Sequence, residues 1–479
     1  MPKQFVVEHR CGLVADECSG SALDPLWFAL DESRGLEDPL LKVYMRATVI
    51  ISEYLIYIPA IIVFLRRYSR LNGVPTWSGS VALVAILLQP STILIDHGHF
   101  QYNTVMLGLV VATLESILAG RLLSACVFFV AALGFKQMAL YYAPIVFAFL
   151  LGKCFVPRFR ILLLLSIAIT TIAAFAMLFA PLLVGSFYDW YHGLPLSVPL
   201  PPLVQSLPVT LEGNSWYYAP IVQVSQVIHR IFPFSRGIFE DKVANAWCAI
   251  HTFVKLHRFP TTVLQRASLG FTLLSILVPC AAIFRNPRPA LLPLALASAA
   301  WGFFLFSFQV HEKSVLLPLL PMTLLLGGDS GLSKETRAWV GWANMIAVWT
   351  IYPLFKREDL CVPYFVVTLL WAYLLGLPPV SLEVYRARSL SKNSAPSSEL
   401  HFITKFLHLL FYLSMVVWHV LEAAVPPPAD KPDLWVVLNV LIGASGLCII
   451  YLWCTWRLVV QIYGTAYRWP EEESKLKPS

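Results

Sequence analysis

Long apolar runs separated by short polar turns fill the chain from about Leu41 to Arg457. Runs of about 20 apolar residues match the length that an α-helix needs to cross a bilayer. Because unpaired backbone groups are costly in lipid, such runs form helices. The predicted membrane-embedded segments are 44–65, 81–95, 104–119, 162–184, 243–254, 261–284, 291–308, 315–326, 338–354, 362–377, 402–424 and 434–456, with a pair of short helices at 122–135 and 138–151. A short amphipathic helix is predicted at 221–231.

This pattern predicts an all-α polytopic membrane protein in three parts. Residues 1–42 form a non-membrane N-terminal segment, and 43–457 form a membrane domain of roughly eleven to twelve helices. Residues 458–479 form a cytosolic tail. Within the membrane domain, the stretch at about 185–220 is rich in Pro, Trp and Tyr and has no Lys or Arg. That composition predicts a long loop on the non-cytosolic side.

The charge pattern fits a membrane protein rather than a soluble one. The chain is 58% hydrophobic and 13% charged, with a formal net charge of +7. A soluble domain is nearer half apolar and a quarter charged, so a large soluble core is excluded. Lys and Arg are scattered in short turns, and groups such as Arg66, Arg67 and Arg70 mark cytosolic helix ends. This scatter indicates membrane topology rather than nucleic-acid binding.

Four polar clusters interrupt the apolar background. They are residues 96–103 (DHGHFQYN), 135–142 (FKQMALYY), 239–245 (FEDKVAN) and 308–314 (FQVHEKS). Titratable groups at bilayer depth are costly unless they face water or a partner. The alternating topology places the first, third and fourth clusters on the non-cytosolic side, and the second at a helix break facing the same side. We therefore predict that the clusters converge on one cavity.

The residue types in these clusters favour a phosphorylated or polyhydroxylated ligand. Lysine and histidine cations would hold a phosphate, and aromatic faces would stack on sugar rings. The candidate binding residues are His97, His99, Gln101, Lys136, His311, Glu312 and Lys313. His97 and His99 lack a third close ligand at the usual spacing, so no metal is predicted. Most of the nine cysteines lie in apolar runs as small hydrophobes, although Cys11 and Cys18 leave a zinc or disulfide role open.

The clusters also have interpretations that need no ligand. Glu240 and Asp241 fit a helix start, where acids are favoured by the helix dipole. Residues 311–313 fit a solvated loop. Lys136 fits a side chain that snorkels to a lipid headgroup.

Five stretches, in this order, resemble the endoplasmic reticulum α-1,3-glucosyltransferases that use dolichyl phosphate glucose. They are MRATVIISEYLIYIPA (45–60), IDHGHFQYN (95–103), GFKQMALYYAP (134–144), RIFPFSRGIFEDKVANAWC (230–248) and FSFQVHEKSVLLPLLP (306–321). Gly98 and the text FKQMALYYAP resemble the branch that adds the first glucose. The resemblance implies a multi-helix glycosyltransferase fold of the GT-C type, here lacking its first helix and loop.

The resemblance also implies an activity and a location. The activity is inverting transfer of glucose from dolichyl phosphate glucose to Man9GlcNAc2-PP-dolichol in α-1,3 linkage, for protein N-glycosylation, without a cofactor. His311 and then Lys313 would contact the donor phosphate, and His97, His99 and Gln101 would line the same cavity. The site would face the lumen of the endoplasmic reticulum, with the C-terminus cytosolic. Lys475 and Lys477 resemble a dilysine retrieval signal.

The sequence departs from the family's pattern in two places. The family carries its general base in an acidic dipeptide on a lumenal loop after a further helix, which is expected to be missing from this N-terminally shortened chain. Asp96 is the candidate replacement base. Residues 185–216 look foreign to the family. These departures leave open a catalytically inactive member with the same fold, and a third hypothesis is a transporter that uses Lys136 and His99.

Overall fold

A computed structural model describes residues 24–29, 35–194, 205, 215–231, 242–328, 331–386 and 400–463. Regular secondary structure in these ranges is helical. The α-helices are α1 (Pro39–Ser52), α2 (Ile58–Leu71), α3 (Thr76–Leu87), α4 (Pro90–Ile93), α5 (Asn103–Leu118), α6 (Leu122–Phe135), α7 (Ala143–Phe155), α8 (Ile161–Tyr191), α9 (Tyr218–Ile231), α10 (Ala246–Phe253), α11 (Thr261–Arg285), α12 (Leu292–Phe306), α13 (Leu316–Leu324), α14 (Lys334–Thr350), α15 (Tyr352–Arg357), α16 (Cys361–Leu375), α17 (Phe402–Ala424) and α18 (Leu434–Tyr463). Wider π-helical turns lie at Glu53–Tyr57 and Leu94–Phe100, and short 3₁₀ turns at Pro25–Phe28, Gln137–Tyr141, Leu256–Arg258, Pro289–Leu291, Glu312–Val315 and Leu325–Gly327.

Within the described ranges, seven helical segments are long and apolar enough to cross a membrane. They are Pro39–Leu71, Thr76–Phe100, Ile161–Tyr191, Thr261–Arg285, Pro289–Phe306, Phe402–Ala424 and Leu434–Tyr463. Shorter apolar helices accompany them at Asn103–Leu118, Leu122–Phe135, Ala143–Phe155 and Cys361–Leu375. The all-α polytopic membrane fold predicted from the sequence is confirmed.

The central helices are enclosed by protein, while the outer helices expose apolar side chains. In Pro289–Phe306, 78% of the residues in the most apolar 18-residue stretch are buried, whereas none are buried in that of Ile161–Tyr191. Exposed apolar helix faces suit a bundle that is surrounded by lipid. In the interior, the Gln89 side chain donates to Thr323 Oγ1 at 3.0 Å and to Asn344 Oδ1 at 2.7 Å. Because buried polar groups need partners, this network holds α13 and α14 together.

A glycine lets α5 cross close to the first helical segment. A Cβ atom on Gly108 would lie 2.9 Å from the Cα atom of Tyr57, which is closer than side chains pack. The helix therefore meets the π-helical turn Glu53–Tyr57 backbone to backbone. This crossing places Glu53 near the start of α5, where the first polar cluster ends.

The predicted helices differ from the observed ones mainly at their ends. α8 continues to Tyr191, beyond the predicted end at 184, so the predicted loop begins later than expected. Residues 97–100 belong to the π-helical turn Leu94–Phe100 rather than to a free turn. The predicted helix 338–354 is divided between α14 and α15, and Pro353 lies at the start of α15. Proline removes one backbone hydrogen bond of a helix, because it has no N–H group to donate, and this favours the break seen here.

Several predictions lie outside the described residues. These are the N-terminal residues 1–23, the loop residues 195–204 and 206–214, the acidic pair Glu240 and Asp241, and the tail from residue 464, which includes Lys475 and Lys477.

Candidate active site

Asp96 organises the first polar cluster from inside the protein. Its side chain is fully buried. Its Oδ1 atom accepts a hydrogen bond from Asn103 Nδ2, and its Oδ2 atom accepts one from the Thr104 backbone N–H, both at 2.7 Å. A buried carboxylate is stable only with such donors. The two bonds tie the π-helical turn to the start of α5, and Phe100, with φ of 73°, reverses the chain between them.

Lys136 joins the second cluster to the first. It follows the last residue of α6 in an extended conformation. Its ammonium group donates to Asn103 Oδ1 at 2.5 Å and to Gln101 Oε1 at 3.2 Å. Partial burial lowers the pKa of Lys136, the negative charge of Asp96 opposes this shift, and the positive charge of Lys313 adds to it. A partly desolvated cation of this kind is suited to binding an anion.

His99 joins the fourth cluster to the first. Its Nε2 atom lies 2.5 Å from Lys313 Nζ, and its Nδ1 atom lies 2.5 Å from Glu358 Oε1. A carboxylate accepts and an ammonium group donates, so the contacts favour the tautomer with the proton on Nδ1. The imidazole thereby links an acid on one side to a cation on the other.

The turn after α15 holds these two clusters together. Glu358 contacts His99, and the preceding Arg357 pairs with Glu312 at 3.3 Å. Asp359 has φ of 57°, an unusual conformation for a residue other than glycine. A Cβ atom on Gly98 would lie 3.0 Å from Leu360 Cδ1. Glycine therefore lets residues 357–360 pack directly on the first cluster.

His97 faces a different acid. Its Nε2 atom lies 2.7 Å from Glu53 Oε2, and the Glu53 residue is only 8% exposed. One residue after Gln101, the Tyr102 hydroxyl contacts the Thr48 hydroxyl. These contacts anchor the first cluster to the first helical segment. In the described ranges, no group of three His, Cys, Asp or Glu side chains is arranged to hold a metal.

The third cluster does not share these contacts among the residues described. Lys242 forms an ion pair with Asp433, between α17 and α18. Asn245 caps α10, and its Oδ1 atom accepts from the Cys248 backbone N–H at 2.9 Å. The Trp247 indole donates to the Phe306 carbonyl at 2.7 Å, so α10 lies beside the end of α12. Lys242 and Asn245 therefore have partners within the protein, and their place in the ligand cavity stays a prediction.

The sequence of this chain matches a known family over most of its length. A model of the ALG6, ALG8 glycosyltransferase family matches residues 9–194 and 207–456. The chain belongs to the ALG6, ALG8 glycosyltransferase family. The family resemblance found in the sequence is confirmed.

Three similar proteins are all named for the same α-1,3-glucosyltransferase activity. The chain is 39% identical over 438 residues to the probable dolichyl pyrophosphate Man9GlcNAc2 alpha-1,3-glucosyltransferase of Schizosaccharomyces pombe, covering 91% of this chain and 76% of the relative. It is 40% identical over 454 residues to the corresponding Saccharomyces cerevisiae protein, covering 92% and 77%. The Gallus gallus protein of that name is 34% identical over 428 residues, covering 87% and 76%.

The family match corrects one prediction about the middle of the chain. Residues 185–216 were expected to be foreign to the family. The match includes 185–194 and resumes at 207, which leaves only 195–206 outside it. The expectation is therefore wrong for both ends of this stretch.

The structure brings together most of the predicted site residues of this family member. Gln101 contacts Lys136, and His99 contacts Lys313. His311 is exposed at the start of the Glu312–Val315 turn, two residues from Lys313. Three charged residues that join these contacts were missed: Glu53, Arg357 and Glu358. Glu53 carried a signal, because an acid inside an apolar run needs a partner.

Asp96 is placed unfavourably for the base role considered from the sequence. A general base must reach the hydroxyl that it deprotonates. Asp96 is fully buried, and both of its oxygens accept hydrogen bonds from neighbouring residues. The geometry indicates that Asp96 positions Asn103 and, through it, Lys136.

Proposed function

We propose that this protein transfers glucose from dolichyl phosphate glucose to Man9GlcNAc2-PP-dolichol in α-1,3 linkage, for protein N-glycosylation. The names of its Schizosaccharomyces pombe and Saccharomyces cerevisiae relatives support the acceptor and the linkage. The observation that carries the proposal is the contact of Lys313 with His99, because it brings a cation from a distant part of the chain to the first polar cluster.

The cations suit a donor whose leaving group is a phosphate. As the bond from glucose to dolichyl phosphate breaks, negative charge grows on the phosphate oxygens. Fixed cations aimed at that charge stabilise the transition state and need no reorganisation. Lys313 and Lys136 would supply this charge, with His311 at the exposed edge of the site. His99 and Gln101 would hold the two lysines in place between turnovers.

The acceptor hydroxyl attacks the sugar from the opposite side in an inverting transfer, and it loses a proton to a base. The carboxylates of the described site are already engaged: Asp96 with Asn103, Glu53 with His97, Glu358 with His99, and Glu312 with Arg357. We therefore propose positioning roles for these four acids and assign the base to none of them.

The proposed location is the membrane of the endoplasmic reticulum, with the site facing the lumen. Basic residues support this orientation, because cytosolic helix ends carry an excess of Lys and Arg. Arg66, Arg67 and Arg70 lie near the end of α2, and Arg285 ends α11. These helix ends lie away from the contacts of Lys136 and Lys313.

Complementation tests the proposed function. Cells that lack the first α-1,3-glucosyltransferase accumulate Man9GlcNAc2-PP-dolichol, and expression of this chain should restore glucosylated lipid-linked oligosaccharide. A matched variant, Lys313→Met, should restore much less of it at equal protein abundance. Accumulation of the unglucosylated lipid in cells that contain the folded parent protein would contradict the proposal.

A further inference from the structure

A cavity lined by both polar and apolar residues lies at the end of the membrane domain away from the active site. Its volume is about 370 Å³, and it opens between the end of α2, the start of α14, the last turns of α18 and the turn before α12. Leu291 and Leu294, near the start of α12, line it. The other end of α12, at Phe306, leads to the His311 loop. The length of α12 therefore separates the cavity from the active site.

Two arginines give this cavity a positive wall. Arg288 precedes α12, and Arg457 lies in the last turns of α18. A guanidinium N–H of Arg288 donates to the Gln461 carbonyl at 3.3 Å, which fixes the direction of the side chain. An Arg457 guanidinium nitrogen lies 3.9 Å from Glu335 Oε2. That separation is too long for a hydrogen bond, so the two side chains attract each other electrostatically but are not hydrogen-bonded.

The start of α14 adds partial positive charge to the same cavity. Glu335 and Thr336 line the cavity and lie in the first turn of this 17-residue helix. The positive end of a helix dipole favours anions. In α14 the Thr336 N–H already donates to the side chain of the N-cap residue Ser333 at 3.2 Å, so the helix start contributes mainly this dipole. Glu335 is the acidic residue of the lining, and its charge opposes an incoming anion.

Apart from the polar side chains of Tyr68, Asn72 and Gln461, the remaining lining is apolar and reaches the protein surface at Val460. Leu291, Leu294, Leu325, Trp453 and Val460 provide it, and Val460 is 38% exposed. A free anion would use only the arginines and the helix start. An anionic lipid would use the polar wall for its headgroup and the apolar wall for its chain. Basic pockets between membrane helices bind anionic headgroups in this way.

We infer that this cavity binds the phosphate group of an anionic membrane lipid. Arg288 and Arg457 contact the phosphate, the start of α14 adds the positive end of its dipole, and Glu335 limits the affinity. The site is separate from the proposed glucosyl transfer. A free phosphate ion has the same headgroup chemistry, and it is the alternative source of the ligand.

Native mass spectrometry of the purified full chain tests this site. The protein is mixed with dioleoyl phosphatidic acid, dioleoyl phosphatidylcholine or inorganic phosphate, and the retained molecules are counted. Arg457→Gln should weaken phosphatidic acid binding about tenfold, because it removes a charge-assisted contact. Glu335→Gln should strengthen binding, an effect that misfolding does not produce. Arg285→Gln is the control, because Arg285 is exposed at the end of α11 and is not among the residues that line the cavity.

The outcomes separate the sources of the phosphate. Saturable retention of phosphatidic acid above phosphatidylcholine, weakened by Arg457→Gln and strengthened by Glu335→Gln, supports the lipid site. Retention of inorganic phosphate with no preference for phosphatidic acid would overturn the lipid assignment. Equal retention of phosphatidic acid by the parent and by the Arg457 and Glu335 variants would overturn the site itself.

Discussion

The Nε2 atom of His99 lies 2.5 Å from the Nζ atom of Lys313, although 214 residues separate them in the chain. Glu358 contacts the opposite ring nitrogen of the same histidine. The arrangement places one imidazole between a carboxylate and an ammonium group. The carboxylate of Glu358 favours a proton on Nδ1, and this leaves Nε2 free to accept a hydrogen bond from Lys313.

Replacement of Glu358 tests this positioning role. Glu358→Gln keeps the size of the side chain but removes the charge that holds the proton on His99 Nδ1. Gln still offers an acceptor oxygen, so the charge-assisted hydrogen bond becomes a neutral one of about half the strength, and we expect about a tenfold loss of glucosyl transfer. The measurement is kcat/KM with purified protein. Glu383→Gln is the control, because Glu383 is exposed and pairs with Arg337 at the start of α14; equal rates for both variants would contradict the role.

The pH dependence of transfer tests Lys136. Its ammonium group is present below its pKa and is lost as the pH rises through it. Because burial lowers that pKa from the ordinary 10.5, activity should fall at a lower alkaline pH than an ordinary lysine would give.

Lys136→Arg is the matched variant for this test. Arginine stays charged through the accessible range, so the alkaline fall should disappear, whatever the maximal rate. The measurement is the shape of the kcat/KM profile from about pH 7 to about pH 10. The same alkaline fall in both proteins would show that another group causes it.

Gly98 tests the packing of the turn at residues 357–360. Gly98→Ala adds a Cβ atom 3.0 Å from Leu360 Cδ1 and should push the turn, and Glu358 with it, away from His99. We expect a several-fold loss of glucosyl transfer, because the added methyl group crowds Leu360. The double variant Gly98→Ala, Leu360→Ala removes the crowding and should recover most of the activity. If the double variant is no better than the single one, Leu360 is not the cause.

Asp96→Asn separates a positioning role from a base role. The replacement removes a charged acceptor of two buried hydrogen bonds, at a cost of about 1–3 kcal/mol. We expect a lower thermal unfolding temperature in detergent, together with weaker donor binding. A base would behave differently: donor binding would stay at the parent value, while kcat fell by orders of magnitude.

The sequence predicted the helix bounds well where an apolar run is directly followed by a charged residue or preceded by a capping residue. The observed bounds of Leu122–Phe135 and Phe402–Ala424 are the predicted ones. α8 was predicted too short, because the residues 187–191 (FYDWY) look like a loop, although aromatic residues are also common where helices leave the membrane.

The candidate site was predictable only in part. Counting alternate crossings placed His99 and Lys313 on the same side, but the packing of helices decided that they touch. Glu358 gave no signal, because it lies in a run of charged residues, KRED at 356–359, that reads as an ordinary solvated turn. Its role depends on the backbone at Asp359 and on the space left by Gly98, which local sequence patterns do not encode.

Transfer by the purified protein is the most direct test that the cations around His99 form the donor site. The reaction contains dolichyl phosphate glucose and Man9GlcNAc2-PP-dolichol, and glucosylated product and released dolichyl phosphate are measured together. The parent should form both in equal amounts, and Lys313→Met should be slower by about a hundredfold, because it removes a charge aimed at the leaving phosphate. Transfer by Lys313→Met at the parent rate would contradict the account.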